Sequence, residues 1–234
     1  MNDEVNLVAA TDHESDLKSL VAEILRQARD AGADAAEVSA SEDAGLGVTV
    51  RLGDLETVEF NRDRGFGITV YFGKRKGSAS TSDSTPDAVA ATVQAACNIA
   101  RFTEEDPCHG LADAELMARV FPDLDLDHPW TTTVADAEAL AQTAEAAARG
   151  HDRRVTNSDG ASVGTQRFCR VYGNSHGFLG SHIGTRHSIS CGVIAGDGKT
   201  MQRDHYYTTG RSIDDLDAAE QVGAEAARRA VARL

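Results

Sequence analysis

Eight histidines and 37 acidic residues scatter metal-ligating and proton-transferring side chains through this 234-residue chain, so spacing decides which of them could act together. His13-Glu14 opens like the zinc motif H-E-x-x-H, but position 17 is leucine, and the second imidazole one helical turn on is missing. Asp123, Asp125 and Asp127 imitate the start of a calcium loop, yet His128 stands where the sharp turn needs glycine and Val134 where a glutamate should close it. A solvated loop is the plainer expectation. His176, His182, His187 and His205 all fall in one run of predicted strands. Within a strand, His187 and Cys191 are separated by about 13 Å, too far to share a zinc ion, and His182 and His187 have opposite parity. Convergence across strands would be needed to make a site of them; ordinary sheet-face histidines are expected.

Nucleophilic catalysis has no better footing. There is no G-x-S-x-G elbow, and Cys108-His109 are neighbours whose side chains diverge in extended backbone. Gly45-x-Gly47 and Gly65-x-Gly67 are expected at strand entrances, without the following helix N-terminus that holds phosphate. Lys74-Arg75-Lys76 reads as a solvated hairpin tip. The residues thus assign no catalytic, cofactor-binding or metal position.

The elements that carry these residues follow from periodicity. Leu17, Leu20, Val21, Ile24, Leu25 and Ala28 form one apolar stripe of a helix over 15–31 that Gly32 stops. Short alternating segments follow at 36–41, 46–52, 55–61, 66–72 and 78–82. Asp43-Ala44-Gly45, Gly53-Asp54, Asp63-Arg64-Gly65 and Gly73-Lys74 are the turn chemistry between them, so the region predicts an antiparallel meander. Ser84-Thr85-Pro86 opens a second helix with a hydroxyl cap, its buried stripe including Cys97. The stretch 105–132, with Pro107, Pro122 and Pro129, reads as a linker with a short helix near 113–118. An alanine-rich helix runs from Thr133 to a cap at Gly150. A second meander begins after the turn Asn157-Ser158-Asp159-Gly160, with strands over 162–172, 178–195 and 200–209, and a last helix spans 216–234.

The fold class is therefore α+β, two antiparallel β-meanders each flanked by helices. Its expected parts are a flexible N-terminus over 1–14, a first lobe over 15–104, the linker over 105–132 and a second lobe over 133–234. Net charge is −14, which repels phosphate backbones and anionic headgroups, so nucleic acid and membrane are not expected partners. No run of about 18 apolar residues suggests a spanning helix, and MNDEVNLVAA lacks the basic start of a secretory signal. Cys97, Cys108, Cys169 and Cys191 are isolated, which suits reduced thiols. The final helix stops in mid-pattern at Leu234, as a chain that continues would.

Several stretches resemble the TldD/PmbA proteins, also called peptidase family U62 or modulators of DNA gyrase, and specifically their PmbA (TldE) branch. They are Ala35-Ala36-Glu37-Val38, Val58-Glu59-Phe60-Asn61, Gly67-Ile68-Thr69-Val70-Tyr71, Lys76-Gly77-Ser78-Ala79-Ser80 and Asp106-Pro107-Cys108. Further on come Pro122-Asp123-Leu124-Asp125-Leu126, Gly173-Asn174-Ser175-His176-Gly177, Thr185-Arg186-His187-Ser188 and Arg203-Asp204. The resemblance implies a cytoplasmic heterodimeric metalloprotease. In it a TldD-like subunit supplies zinc on an H-E-x-x-x-H helix, and the PmbA-like subunit is its inactive-looking partner. The motif histidines would lie beyond Leu234, in a family C-terminal half absent here, so no family catalytic residue transfers to any position and no cofactor is expected in this chain. Peptides or unfolded proteins are the implied substrates, including maturation of a peptide antibiotic and degradation of an antitoxin. A homodimer is a further possible assembly. The strands 78–82 and 200–209, at the meander ends, offer edges to which an extended peptide could add. The alternative from another class is a stand-alone peptide- or protein-binding module without hydrolytic activity. A third reading, a hydrolase built on the second-meander histidines, requires stoichiometric metal.

Overall fold

A computed structural model describes residues 13–234; most of the expected flexible N-terminus lies outside them. Two helix–hairpin–strand–helix units follow one another. The first comprises α1 (Glu14–Asp30), β1 (Ala35–Arg51), β2 (Asp54–Phe72), β3 (Arg75–Thr81) and α2 (Pro86–Phe102); the second comprises α3 (Val134–His151), β4 (Val155–Asn174), β5 (Leu179–Gly196), β6 (Met201–Gly210) and α4 (Ala219–Ala232). The two meanders share one six-stranded antiparallel sheet in the order β3-β2-β1-β4-β5-β6. Its centre is the long ladder of β1 on β4, from Glu37 opposite Asn174 to Val50 opposite Ala161. β3 and β6 are its edges.

All four helices cover one face. α1 and α2 close a core over Val38, Phe66, Ile68, Val70 and Val171. α3 and α4 close another over Val48, Val50, Val163, Cys191 and Val193. The second core is built from small residues: Ala141, Ala144 and Ala148 face Ala226, Ala227 and Ala230. A Cβ at Gly223 would come 1.9 Å from the Ala144 carbonyl oxygen, so only glycine permits this helix crossing. Gly77 plays the same part between β3 and α2, where a Cβ would meet the Ala96 carbonyl at 2.1 Å.

Three expected turns are continuous strand instead. Asp43-Ala44-Gly45 and Asp63-Arg64-Gly65 both lie inside the β1–β2 ladder, where Asp43 is opposite Asp63, Gly45 opposite Asn61 and Gly65 opposite Ser41, and Asn157-Ser158-Asp159-Gly160 lies within β4, where register shifts absorb the extra residues. The glycines serve close packing: a Cβ on Gly45 would lie 2.5 Å from the Asn61 amide oxygen. Gly45, Gly47, Gly65 and Gly67 therefore sit in mid-strand and not at strand entrances. Gly53 and Gly73, at φ +92° and +59°, do form the turns expected of them. The Thr85 hydroxyl makes no cap bond; Asp83 accepts from the Thr85 amide instead. Gly150 lies inside α3, whose last residue is His151. The short helix of the linker is a single 3-10 turn at Ala114–Leu116.

The β1–β2 turn is fixed by a carboxylate from the opposite unit. Glu145 of α3, 1% exposed, accepts the amides of Leu52 and Gly53, each at 2.7 Å. Two charge-assisted bonds inside the protein satisfy donors that the turn itself leaves unpaired. Replacing Glu145 with glutamine sets its amide NH2, itself a donor, against one of those backbone N–H groups. The expected loss is about 2–3 kcal/mol, read as a lower urea midpoint with unchanged slope.

Candidate functional site

Strand alternation sorts the polar side chains into two groups on opposite faces of the sheet. On the helix face, between the two cores, Glu42, Arg62, Arg64, Thr165, Arg167, Thr185 and His187 run across four adjacent strands. Glu42 is 1% exposed, and Arg64 at 3.1 Å, Arg62 at 3.5 Å and the His13 Nδ1 at 3.1 Å surround its carboxylate. Arg167 is held by Asp127 through two bonds of 2.8 Å. Charges buried this way persist because each has a partner.

His187 belongs to this belt. Its Nε2 faces the His128 carbonyl at 3.0 Å and its Nδ1 faces the Thr165 hydroxyl at 2.8 Å. A carbonyl only accepts, so Nε2 carries the proton and Thr165 donates to Nδ1. Trp130 stands edge-on to the ring. The pair resembles a hydroxyl and its base, but Thr165 is 4% and His187 1% exposed, leaving no approach for a substrate. Burial is the main cause that lowers the His187 pKa, in line with a structural, neutral imidazole.

The linker passes from one face to the other around the part of β5 that β6 leaves unpaired. Phe121 and Leu126 lie against Gly180 and Gly184 on the open face. The Thr185 amide donates to the Leu126 carbonyl at 2.8 Å, and Asp127 and Trp130 then reach the helix-face belt. Lys74 and Arg75 hold the start of the linker, through the His109 carbonyl and Glu105.

The open face is small and polar. Ser39, Ser41, Gly65, Gly67, Ser80 and Gly180 line a trough of about 1670 Å³ whose other walls include Phe121–Asp127, Arg170, Tyr172, Phe178 and His182. Arg170 is locked to Asp43 by bonds of 2.6 and 2.7 Å. Beside the trough, Tyr71 and Tyr172 donate to the two oxygens of Glu37 at 2.7 and 2.8 Å. Burial, and then this carboxylate, push the Tyr71 pKa up.

The four histidines of the second meander do not meet: His187 is on the helix face, His182 and His205 are on the open face, and His176 bonds the Ala112 carbonyl in a turn. Among the described residues no group of three or more His, Cys, Asp or Glu could hold a metal ion, so these side chains do not fit a zinc site. Cys97, Cys169 and Cys191 are buried; burial pushes the Cys191 thiol up to about 12. Among the described residues no helix is long and apolar enough to cross a membrane. The spacing of single residues gave no sign of the Glu37–Tyr71–Tyr172 cluster, because it depends on the register of three strands.

Two family models match the chain, the PmbA/TldA metallopeptidase domain 1 over residues 36–100 and the PmbA/TldA metallopeptidase central domain over 127–234. "Metalloprotease PmbA" of Escherichia coli O157:H7 is 50% identical over 201 residues, covering 86% of this chain and 45% of that protein. A "Metalloprotease PmbA homolog" of Haemophilus influenzae is 43% identical over 221 residues, covering 94% and 49%. The fold matches a putative modulator of DNA gyrase from Bacteroides thetaiotaomicron, with TM-score 0.86, 22% identity and coverage of 95% and 51%. It also matches TldE from Thermococcus kodakarensis, with TM-score 0.72, 16% identity and coverage of 91% and 47%. The chain spans about half the length of the relatives it matches.

Because burial lowers the His187 pKa from 6.5, the unfolded chain binds this proton more readily than the native one. The associated stability is present above that value and is lost as the pH falls below it. Urea midpoints at about pH 7.5 and about pH 5.5 should therefore differ more in the wild type than in His187→Gln.

Proposed function

The chain belongs to the PmbA/TldD metallopeptidase family, and from that premise we propose that it is the N-terminal region of a PmbA/TldE-like subunit of a zinc-dependent metalloprotease. The complete enzyme acts in the cytoplasm on peptides or unfolded proteins. Zinc and the catalytic groups come from a TldD-type partner subunit, and this region contributes assembly surface and substrate enclosure. The observation that carries the reading is the 50% identity to a metalloprotease PmbA over 86% of the chain.

Two features of the fold support it. The open face is a long trough floored by glycine and serine, where an extended main chain can lie close to the sheet. The edges β3 and β6 offer backbone donors and acceptors to an added strand. In this proposal no residue of the region is given a catalytic role; among the described residues no group of three or more His, Cys, Asp or Glu could hold a metal ion, and the Thr165–His187 pair is buried.

The test mixes the protein, alone and joined to the C-terminal half found in its relatives, with a TldD-type subunit and an unfolded protein substrate. Cleavage that needs both subunits and stops on zinc chelation supports the proposal. Binding of the substrate without cleavage in every combination would replace it with a stand-alone binding module.

A further inference from the structure

The trough on the open face is lined by unbalanced charge. Four carboxylates border it, Glu14 and Asp127 where it reaches round to the helix face and Asp123 and Asp125 on the linker, together with one guanidinium, Arg170. Arg170 is neutralised by Asp43. Asp127 is spent on Arg167 and Glu14 on Lys18. Among the described residues Asp123 has no cationic partner; its Oδ1 accepts the Asp125 amide at 2.9 Å. Glu37, beside the trough, receives among the described residues only the hydroxyls of Tyr71 and Tyr172.

An aromatic cluster adjoins both of these carboxylates: the Tyr172 hydroxyl rests on Glu37, and Phe121 lies two residues before Asp123 on the same trough wall. Phe121 and Phe178 meet edge to face with ring centres 5.4 Å apart, and Tyr172 lies 5.7 Å from Phe178. Phe121 is 55% and Tyr172 37% exposed, so their rings are open to a ligand. Gly180 makes the cluster possible, since a Cβ there would come 2.9 Å from both phenylalanine rings. Aromatic faces attract cations through the ring quadrupole, and a nearby carboxylate adds direct Coulomb attraction.

We propose that this end of the trough is a subsite for the lysine or arginine side chain of an extended polypeptide, the cation seated on the Phe121–Phe178–Tyr172 cluster that adjoins Glu37 and Asp123. The proposal rests on the peptide-handling reading above and adds a charge preference to it. The glycine and serine floor admits the main chain whatever its sequence, and the cluster selects segments by their basic residues. The protein's net charge of −14 favours the same approach at longer range.

Fluorescence anisotropy with two short, dye-labelled, unstructured Gly/Ser peptides tests this, one bearing several arginines and the other glutamines at the same positions. The arginine peptide should bind at least about tenfold more tightly, and Phe121→Ala combined with Asp123→Asn should remove most of that advantage while the far-UV spectrum is unchanged. Asp123→Asn alone keeps the acceptor used by the Asp125 amide, so it should fold normally and still weaken the arginine peptide several-fold. Equal binding of the two peptides would overturn the charge preference and leave peptide binding standing. Binding of neither would defeat both. An arginine advantage that survives in both variants would show that the subsite lies elsewhere and overturn its assignment.

Discussion

The pairing of β1 with β4 is the constraint on which the molecule depends. Each unit places its first strand innermost, so joining them by Glu37–Asn174 through Val50–Ala161 turns two three-stranded meanders into one sheet. A lone meander with two helices would have an unpaired inner edge as long as β1. The joint removes both inner edges at once and leaves only β3, β6 and the overhanging ends of β2 and β5. It also places the β1–β2 turn beneath α3, where Glu145 can reach its amides. The two units are therefore locked by hydrogen bonds at the seam and again at the hairpin tip.

A sheet this wide cannot be covered by two helix pairs without a gap, and the gap determines the chemistry of its floor. Where the cores end, β1 changes from Ala40 to Glu42, β4 from Cys169 to Arg167, and β5 from Ile183 to Thr185 and His187. These groups are partly or wholly out of water, so each needs a partner, and the linker supplies several: Asp127 to Arg167, the His128 carbonyl to His187 and the His128 amide to Thr185. The irregular course of the linker thus has a physical cause. Its backbone and side chains are matched to a polar belt and to a short free edge of β5, and neither asks for a repeating conformation.

The helices were legible because a 3.6-residue stripe is local: Leu17, Val21, Ile24 and Ala28 occupy the buried positions expected of them. The α+β class followed from the same patterns. Turn chemistry was less faithful. Gly53 and Gly73 lie at real turns with positive φ, whereas Gly45 and Gly65 answer to a neighbouring strand: Asn61 crowds the first and Ser41 sits against the second. A glycine selected for close approach and one selected for backbone freedom look the same in one dimension. The belt and the Glu37 cluster were hidden for a related reason, since Glu37 meets Tyr71 and Tyr172 only once β2 and β4 are in register on either side of β1. Glu145 lies on the buried stripe of an alanine-rich helix, and what it binds is apparent only when the distant hairpin arrives beneath it.

Small side chains on the open face and large ones on the helix face are two results of one alternation. Along β1 the helix face carries Val38, Leu46, Val48 and Val50, and the opposite face carries Ser39, Ser41, Gly45, Gly47 and Thr49. Exposed strands ordinarily favour β-branched or aromatic residues, which pack against cross-strand neighbours; glycine here forgoes that stabilisation and weakens the strand. Such a loss persists where something must come close to the backbone. Gly180 and Gly184 show what that can be, because Phe121 and Leu126 of the linker lie directly on them. Gly65 and Gly67, further along the same trough, have no bulky side chain within contact of a Cβ, only the hydroxyls of Ser41 and Ser39. The part of the trough that the described residues leave uncovered is thus made of the same small residues on which the linker's own extended segment already rests.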